Sequence, residues 1–152
     1  MLKPAAPDHR WIASHIPHQG TMCLLDSVQQ WDEQEITCVA YSHSAPDNPL
    51  RAHGRLGIAC GIEYAAQAMA VHGALLAPAD IQTPKVGYLV SVRGVKMAVD
   101  RLDAFAGALE VKANCLMASE SNMLYAFTLS ADGTLLLEGR AAVMLNAESL
   151  AL

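Results

Sequence analysis

The polar residues Glu63, Gln67 and His72 interrupt a stretch, residues 58–77, that is otherwise almost entirely apolar. Carboxylates are rarely buried unless they are paired or functional. Because Glu63 and Gln67 are four residues apart, a helix places them on one face and directs both into one pocket. Apolar surroundings favour a neutral carboxyl group, which suits general acid/base chemistry near neutral pH. In a simpler interpretation, Glu63 lies in the first helical turn and complements the helix dipole.

Two histidines could act with Glu63 as a catalytic acid or base. His53 lies ten residues before Glu63, in the segment that leads into the helix, and a loop histidine near a helix carboxylate is a plausible catalytic pair. A loop histidine is also often simply solvated. His18, within residues 16–20, is open to the same two interpretations. His72 lies late on the helix, where we expect a partly buried side chain near the C-terminal dipole.

Glycines surround the start of the predicted helix at positions 54, 57 and 61. Unpaired N–H groups at a helix start can polarise a thioester carbonyl. Gly57 and Gly61 are therefore candidate substrate-binding residues, together with Gln67 and His18. Glycine also occurs wherever a chain must bend, so a purely conformational role is the alternative.

Several classes of protein are disfavoured by motifs that the sequence lacks. It has no GxSxG elbow, phosphate-binding glycine loop or HExxH motif. The four cysteines are widely spaced, without a CxxC pair or a Cys/His cluster at zinc-ligand spacing, and we interpret them as small buried hydrophobic residues. We therefore expect no metal and no cofactor. A net charge of -5, with only ten Lys and Arg residues, argues against a nucleic-acid partner.

The order of sequence patterns predicts one long helix between two groups of strands. Residues 1–21 contain three prolines and form an N-terminal arm with a short helix capped by Asp8. Residues 44–57 form a loop that is long for a compact domain, and Pro78 ends the long helix. The predicted strands are residues 22–31, 35–43, 86–99, 109–118, 123–130 and 135–145, the last two joined by a hairpin turn at Asp132-Gly133.

A helix that is apolar on every side must be covered on every side. Six antiparallel strands can curl around one side of it, and a second subunit can cover the other. A hydrophobic content of 53% with 16% charged residues is consistent with such an interface. The length fits a single domain, residues 1–152. Without an apolar run of membrane-spanning length or a signal-peptide layout, we expect no membrane span and a cytoplasmic protein.

Two segments resemble signatures of the FabZ-type 3-hydroxyacyl-[acyl-carrier-protein] dehydratases. Residues 16–28, IPHQGTMCLLDSV, are similar to that family's N-terminal I-P-H-R-x-P-F-L-L-V-D-R-V, and residues 63–68, EYAAQA, to its helix motif E-A-x-A-Q. Residues 61–70, 87–93 and 101–103 resemble more specifically the ApeP-type subgroup, which is associated with aryl polyene and related fatty-acid-like biosynthesis. The likeness extends from about residue 10 to residue 146.

The resemblance implies an α+β hotdog fold, an antiparallel sheet of about six strands wrapped round one long central helix. It also implies a site in which a loop histidine of the partner subunit removes a proton beside the thioester carbonyl, while Glu63 helps the 3-hydroxyl leave. The family places that histidine fourteen residues before the glutamate, where this sequence has Pro49. His53 matches a second, non-catalytic basic position. The helix-start glycine is also shifted, since Ile58 occupies its place and Gly57 precedes it.

Three functions are compatible with these departures. A rearranged loop lets His53 or His18 act as the base of an active dehydratase in fatty-acid or aryl-polyene-type biosynthesis. Alternatively, the chain is a non-catalytic hotdog partner that binds an acyl carrier or a true dehydratase. Thirdly, it is an acyl thioesterase, in which the helix carboxylate alone activates water.

The expected partners follow from the same resemblance. They are an acyl carrier protein or a coenzyme A thioester, and either a homodimer or higher oligomer or a hetero-oligomer with another hotdog subunit. Six cationic residues could form a patch for a carrier or for a pantetheine phosphate, or could be ordinary surface charges. They are Arg51, Arg55, Arg93, Lys96, Arg101 and Lys112.

Overall fold

The computed structural model describes residues 6–77 and 87–145. Its helices are α1 (His9–His15) and α2 (Gly61–Leu76), and its strands are β1 (Ser27–Trp31), β2 (Glu35–Ala40), β3 (Gly87–Met97), β4 (Leu109–Ala118), β5 (Asn122–Ala131) and β6 (Thr134–Leu145). Short 3-10 turns occur at Gly20–Met22, Ser42–Ser44 and Ile58–Cys60.

The six strands form one sheet in the order β1-β2-β4-β5-β6-β3, and all neighbouring pairs are antiparallel. β1 and β3 are therefore the edge strands. The β5–β6 hairpin turns at Asp132 and Gly133, whose φ angles of 52° and 75° are those that a tight hairpin turn requires. The predicted sheet of six antiparallel strands around one helix is confirmed.

Helix α2 lies against the inner face of the sheet, and its side chains Tyr64, Ala65 and Ala68 are almost completely buried. The helix begins very close to β5 and β6. A Cβ at Gly61 would lie 2.7 Å from Leu137 Cδ2 and 3.0 Å from Leu129 Cδ2, so a side chain there would force the helix away from the sheet. The close approach fixes the position of the first turn of α2.

The predicted boundaries differ from the structure at the first strand and at the helix start. The first strand begins at Ser27 rather than at residue 22, because the backbone of Met22 and Leu24 is hydrogen-bonded to a side chain of α2 instead of to a neighbouring strand. The second ends at Ala40 rather than at residue 43, where the chain turns into a 3-10 segment. The first three residues of the predicted helix also form a 3-10 turn.

Asp8 caps α1, as predicted, since its Oδ1 accepts a hydrogen bond from the N–H of Trp11 at 2.9 Å. The beginning of the N-terminal arm, Pro78 and Val86 lie outside the described residues. No described helix is both long and apolar enough to cross a bilayer. In the same parts of the chain, no group of three His, Cys, Asp or Glu residues could hold a metal ion.

Candidate functional site

Glu63 occupies the third position of α2 and contacts the N-terminal arm. Its Oε1 lies 3.1 Å from Nε2 of His18, and the two side chains keep 31% and 24% of their surface exposed. The Nδ1 atom of His18 is buried, and no described residue forms a hydrogen bond with it. We therefore assign the hydrogen of a neutral His18 to Nε2, which donates it to Glu63. Of the histidines that the sequence offered, the structure brings His18 to the carboxylate.

Gln67 connects the carboxylate to the chain just after the N-terminal arm. Its Oε1 accepts a hydrogen bond from the N–H of Leu24 at 2.9 Å, and its Nε2 donates to the carbonyl of Met22 at 2.8 Å. The same Nε2 also donates to Glu63 Oε1 at 3.1 Å. The predicted common face of Glu63 and Gln67 is confirmed, and Gln67 itself is completely buried.

The pKa of Glu63 is lowered, not raised as its apolar helix suggested. The hydrogen bond from His18 is the largest cause, and the bond from Gln67 and the charge of a protonated His18 also stabilise the carboxylate against the opposing effect of burial. The expectation of a neutral Glu63 is therefore wrong. The expectation failed because the sequence of the helix gives no sign of the hydrogen-bond donor His18, which comes from the arm.

Both donors to Glu63 reach the same oxygen, Oε1. No described residue forms a hydrogen bond with Oε2. A partly exposed carboxylate that is ionised, held at one oxygen and without a described partner at the other can take up a proton from a bound molecule. Such a carboxylate can act as a general base, and its place in the first turn of α2 also complements the helix dipole.

A second polar network lies beside the first and had no signal in the sequence. The hydroxyl of Tyr64 lies 2.7 Å from Ser42 Oγ and accepts a hydrogen bond from Asn48 Nδ2 at 3.0 Å. Ser42 in turn donates to the carbonyl of Leu24 at 2.7 Å. Tyr64 and Asn48 are buried, so the loop before α2 is attached to the helix next to Glu63.

His53 lies in a different environment. It is exposed at the tip of a tight turn, where hydrogen bonds between Ala52 and Arg55 run in both directions at 2.9 and 3.1 Å. Its φ angle of 54° is uncommon for a residue other than glycine. Within one chain the partner of Glu63 is His18, so a catalytic role of His53 at another subunit's Glu63 stays a prediction.

The two predicted substrate-binding glycines lie in the last residues before Glu63. Gly61 is required by its close packing on the sheet, and its N–H points at the carbonyls of Ile58 and Ala59. Gly57 is half-buried, and no atom of the described residues lies within 4 Å of the position where a Cβ would be. Contact of either glycine with substrate stays a prediction.

His72 is completely buried rather than partly buried. Its Nε2 donates to the carbonyl of Asp32 at 2.8 Å, so its Nδ1 accepts a hydrogen bond from the hydroxyl of Tyr125 at 2.7 Å. Burial lowers the pKa of His72, and it raises the pKa of Cys38 to about 12. Both groups are neutral members of the core. The expectation of buried cysteines holds for Cys23 and Cys38, whereas Cys60 and Cys115 are only half-buried.

The sheet, the single long helix and the carboxylate at its start define a hotdog-fold protein. The sequence matches the family model of the ApeP-like dehydratases, described as "ApeP dehydratase", over residues 10–151. The chain belongs to this family of dehydratases. A sequence comparison with curated proteins finds no match.

Solved structures share the fold at low sequence identity. The dehydratase heterocomplex ApeI:P from Xenorhabdus doucetiae matches with a TM-score of 0.80 and 22% identity, over 92% of this chain and 96% of that chain. A mutant thioesterase from Pseudomonas aeruginosa matches with a TM-score of 0.66 and 14% identity, over 96% and 99%. A thioesterase from Haemophilus influenzae has a TM-score of 0.58 and 10% identity, over 88% and 80%.

Proposed function

We propose that the protein dehydrates 3-hydroxyacyl thioesters, with Glu63 as the base that removes the C2 proton. The contact between Glu63 and His18 carries this proposal, because it lowers the pKa of Glu63 and uses Oε1, while Oε2 has no hydrogen-bond partner among the described residues. Membership of the ApeP-like dehydratases supports the same reaction.

The reaction removes one proton and one hydroxyl group from neighbouring carbons. Glu63 Oε2 takes the proton from C2, and the electron pair of that C–H bond moves into the thioester as an enolate. The pair then forms the C2–C3 double bond as the C3–O bond breaks. The hydroxyl leaves as water with a proton from a second group. Glu63 and that group exchange protons with solvent before the next turnover.

We assign the second group to His53 from a partner subunit. Its exposed position at the tip of a tight turn supports this assignment, since a residue that reaches another subunit must project from its own. In this assignment Glu63 is the base and His53 the acid, because the pKa of Glu63 is lowered. His18 and Gln67 orient the carboxylate, and Gly57 and Gly61 border the space where the thioester binds.

The assignment requires at least a dimer, and edge strand β3 supports one. Among the described strands β3 pairs only with β6, and Tyr88, Leu89 and Val90 remain 51%, 41% and 58% exposed. A long apolar edge is a template for pairing with another chain. We propose that a second copy, or a related hotdog subunit, pairs along this edge, and that the substrate arrives on an acyl carrier protein or coenzyme A.

Complementation between two variants tests this arrangement. Glu63→Gln and His53→Gln should each inactivate the protein. Their co-expressed mixture should regain activity, because one site of each mixed dimer holds both wild-type residues. Absence of recovery in a mixture shown to form mixed dimers would argue against a site shared between subunits.

Two other functions remain candidates on specific observations. Solved thioesterases share the fold, and an ionised carboxylate with one oxygen that no described residue binds can also activate water. Release of free thiol from an acyl thioester would therefore favour hydrolysis. Pro49 stands where the resembled dehydratases have their catalytic histidine, which fits a non-catalytic partner. That function predicts activity only after addition of a second hotdog subunit, with Glu63→Gln harmless in the mixture.

A further inference from the structure

The carboxylate of Asp103 lies between two arginines and is only 5% exposed. Arg101 donates to Oδ1 at 2.7 Å and to Oδ2 at 2.6 Å, and Arg51 donates to Oδ2 at 3.2 Å. The hydrogen bonds from Arg101 hold the pKa of Asp103 well below its usual range. The cluster is therefore charged, and its acid is almost completely shielded from water.

Arg51 connects this cluster to the loop before α2. Its Nε donates to the carbonyl of Ala45 at 2.9 Å, and its Nη2 to the carbonyl of His43 at 3.3 Å. Removal of Asp103 would leave Arg51 with these carbonyl contacts but without its counter-ion. The loop side of the cluster thus depends on a carboxylate that comes from a distant part of the sequence.

The segment around Asp103 also holds the other end of the loop. The N–H of Leu102 donates to the carbonyl of Leu56 at 2.9 Å, and the N–H of Ile58 donates to the carbonyl of Asp100 at 3.0 Å. The chain on either side of residues 52–55 is therefore attached to residues 100–103.

The turn between these two attachments carries His53. His53 and Gly54 have φ angles of 54° and 73°, and a non-glycine residue in this region costs energy that the surrounding structure must supply. Strain of this kind persists where neighbouring contacts fix the backbone, and it occurs preferentially at functional positions. The attachments before and after residues 52–55 are the contacts that can fix it.

We propose that Asp103 is a positioning residue which, through Arg51, holds the turn that presents His53 to the site of a partner subunit. The functional half of this inference rests on the role proposed for His53. The structural half, that Asp103 fixes the turn, stands on the contacts alone.

Four variants separate this role from a general contribution to stability. Asp103→Asn removes the negative charge at the centre of the cluster. Arg51→Met removes only the side chain that connects the cluster to the loop before α2. Arg101→Met leaves the contact between Arg51 and Asp103 in place. Glu110→Gln is the matched control, since it removes an exposed acid that pairs with Lys112 at 3.2 Å on the sheet.

Hydrogen exchange on the purified oligomer tests the structural half. The turn protects the amides of Ala52 and Arg55 by hydrogen bonds, so these amides should exchange faster in Asp103→Asn and Arg51→Met. They should exchange at the wild-type rate in Glu110→Gln and only slightly faster in Arg101→Met. Unchanged exchange in both Asp103→Asn and Arg51→Met would overturn the proposal, whether or not the protein is a dehydratase.

A double-mutant comparison tests the functional half. Asp103→Asn should lower kcat about ten- to a hundredfold, with a much smaller effect on KM, as expected for a misplaced catalytic group. In a His53→Gln background the same substitution should change kcat little, because the residue that it positions is already absent. An equal loss of kcat in both backgrounds would show that Asp103 does not act through His53. Lack of turnover by the wild type would contradict the proposed function instead, and the exchange result would still decide the structural half.

Discussion

His18 Nε2 donates a hydrogen bond to Glu63 Oε1 at 3.1 Å, so a residue of the N-terminal arm lowers the pKa of a residue on the central helix. The chain just after the arm is held by Gln67, which forms hydrogen bonds with the backbone of Met22 and Leu24. Both hydrogen bonds to the Glu63 carboxylate use Oε1, so Oε2, at the start of α2, has no described partner. Its chemistry depends on contacts between two distant parts of the chain.

His18→Gln should shift the pH dependence of the reaction. The hydrogen bond from His18 is the main cause of the lowered pKa of Glu63, so weakening it lets that pKa rise. Because Glu63 must be ionised to act as the base, the acid limb of kcat/KM should move to higher pH. Profiles of the wild type and the variant, measured with one substrate, test this. An unshifted acid limb would mean that Glu63 is not the group that the limb reports.

Gln67→Leu should destabilise the fold by about 1–3 kcal/mol, because it leaves the N–H of Leu24 and the carbonyl of Met22 without their buried partner. Denaturant unfolding of the variant and the wild type measures the difference. Gln19→Leu is a suitable control, because the Gln19 side chain is exposed and makes a single 3.3 Å contact with the carbonyl of Ala13. Equal losses of unfolding free energy in Gln67→Leu and Gln19→Leu would contradict an anchoring role for Gln67.

His72 should make the protein less stable in acid. Its pKa in the folded protein is lowered from 6.5 by burial, so the unfolded chain binds the proton first as the pH falls. Stability is therefore fully present above pH 6.5 and is lost as the pH falls through the lower folded-state pKa. His72→Gln keeps a donor and an acceptor without titrating, so its melting temperature should fall less between neutral and mildly acid pH. Melting temperatures that fall equally with pH in the variant and in the wild type would contradict this account.

Val90→Lys should prevent association along β3. Val90 is 58% exposed on the edge strand, and a lysine there is a common means of blocking strand pairing. The mass in solution should fall to that of the monomer while the circular dichroism spectrum is retained. Leu135→Lys, at another exposed apolar position outside the edge strand, should leave the mass unchanged. A wild-type mass in the Val90 variant would place the interface elsewhere.

The elements of the fold were largely predictable because their signals are local. The apolar stretch gave α2, the alternating segments gave the strands, and Leu109–Ala118 matched the predicted strand at both ends. The Asp-Gly pair gave the β5–β6 hairpin. Such patterns reflect periodicities that each element must have to bury one side.

The site was predictable only in part, because its partners are distant in the sequence. Glu63 and Gln67 were evident as polar residues on one face of an apolar helix. The contact of Glu63 with His18 rather than His53 depends on the hydrogen bonds from Gln67 to Met22 and Leu24, just after the arm. The same bonds keep residues 22–25 out of β1. Asp103 was marked only by the resemblance of residues 101–103 to the ApeP-type subgroup. No pattern indicated its contacts, since an acid in a loop is indistinguishable from a surface charge until its two arginines are placed around it.

The role of Glu63 is the central claim, and turnover of a 3-hydroxyacyl thioester by wild type and Glu63→Gln tests it most directly. Formation of the 2-enoyl thioester should be readily measured for the wild-type oligomer. It should fall at least about a hundredfold in the variant, the scale of general acid/base catalysis. The variant should keep its fold and oligomeric state, since glutamine fills the same space. Equal rates for the two proteins would contradict the catalytic role of Glu63.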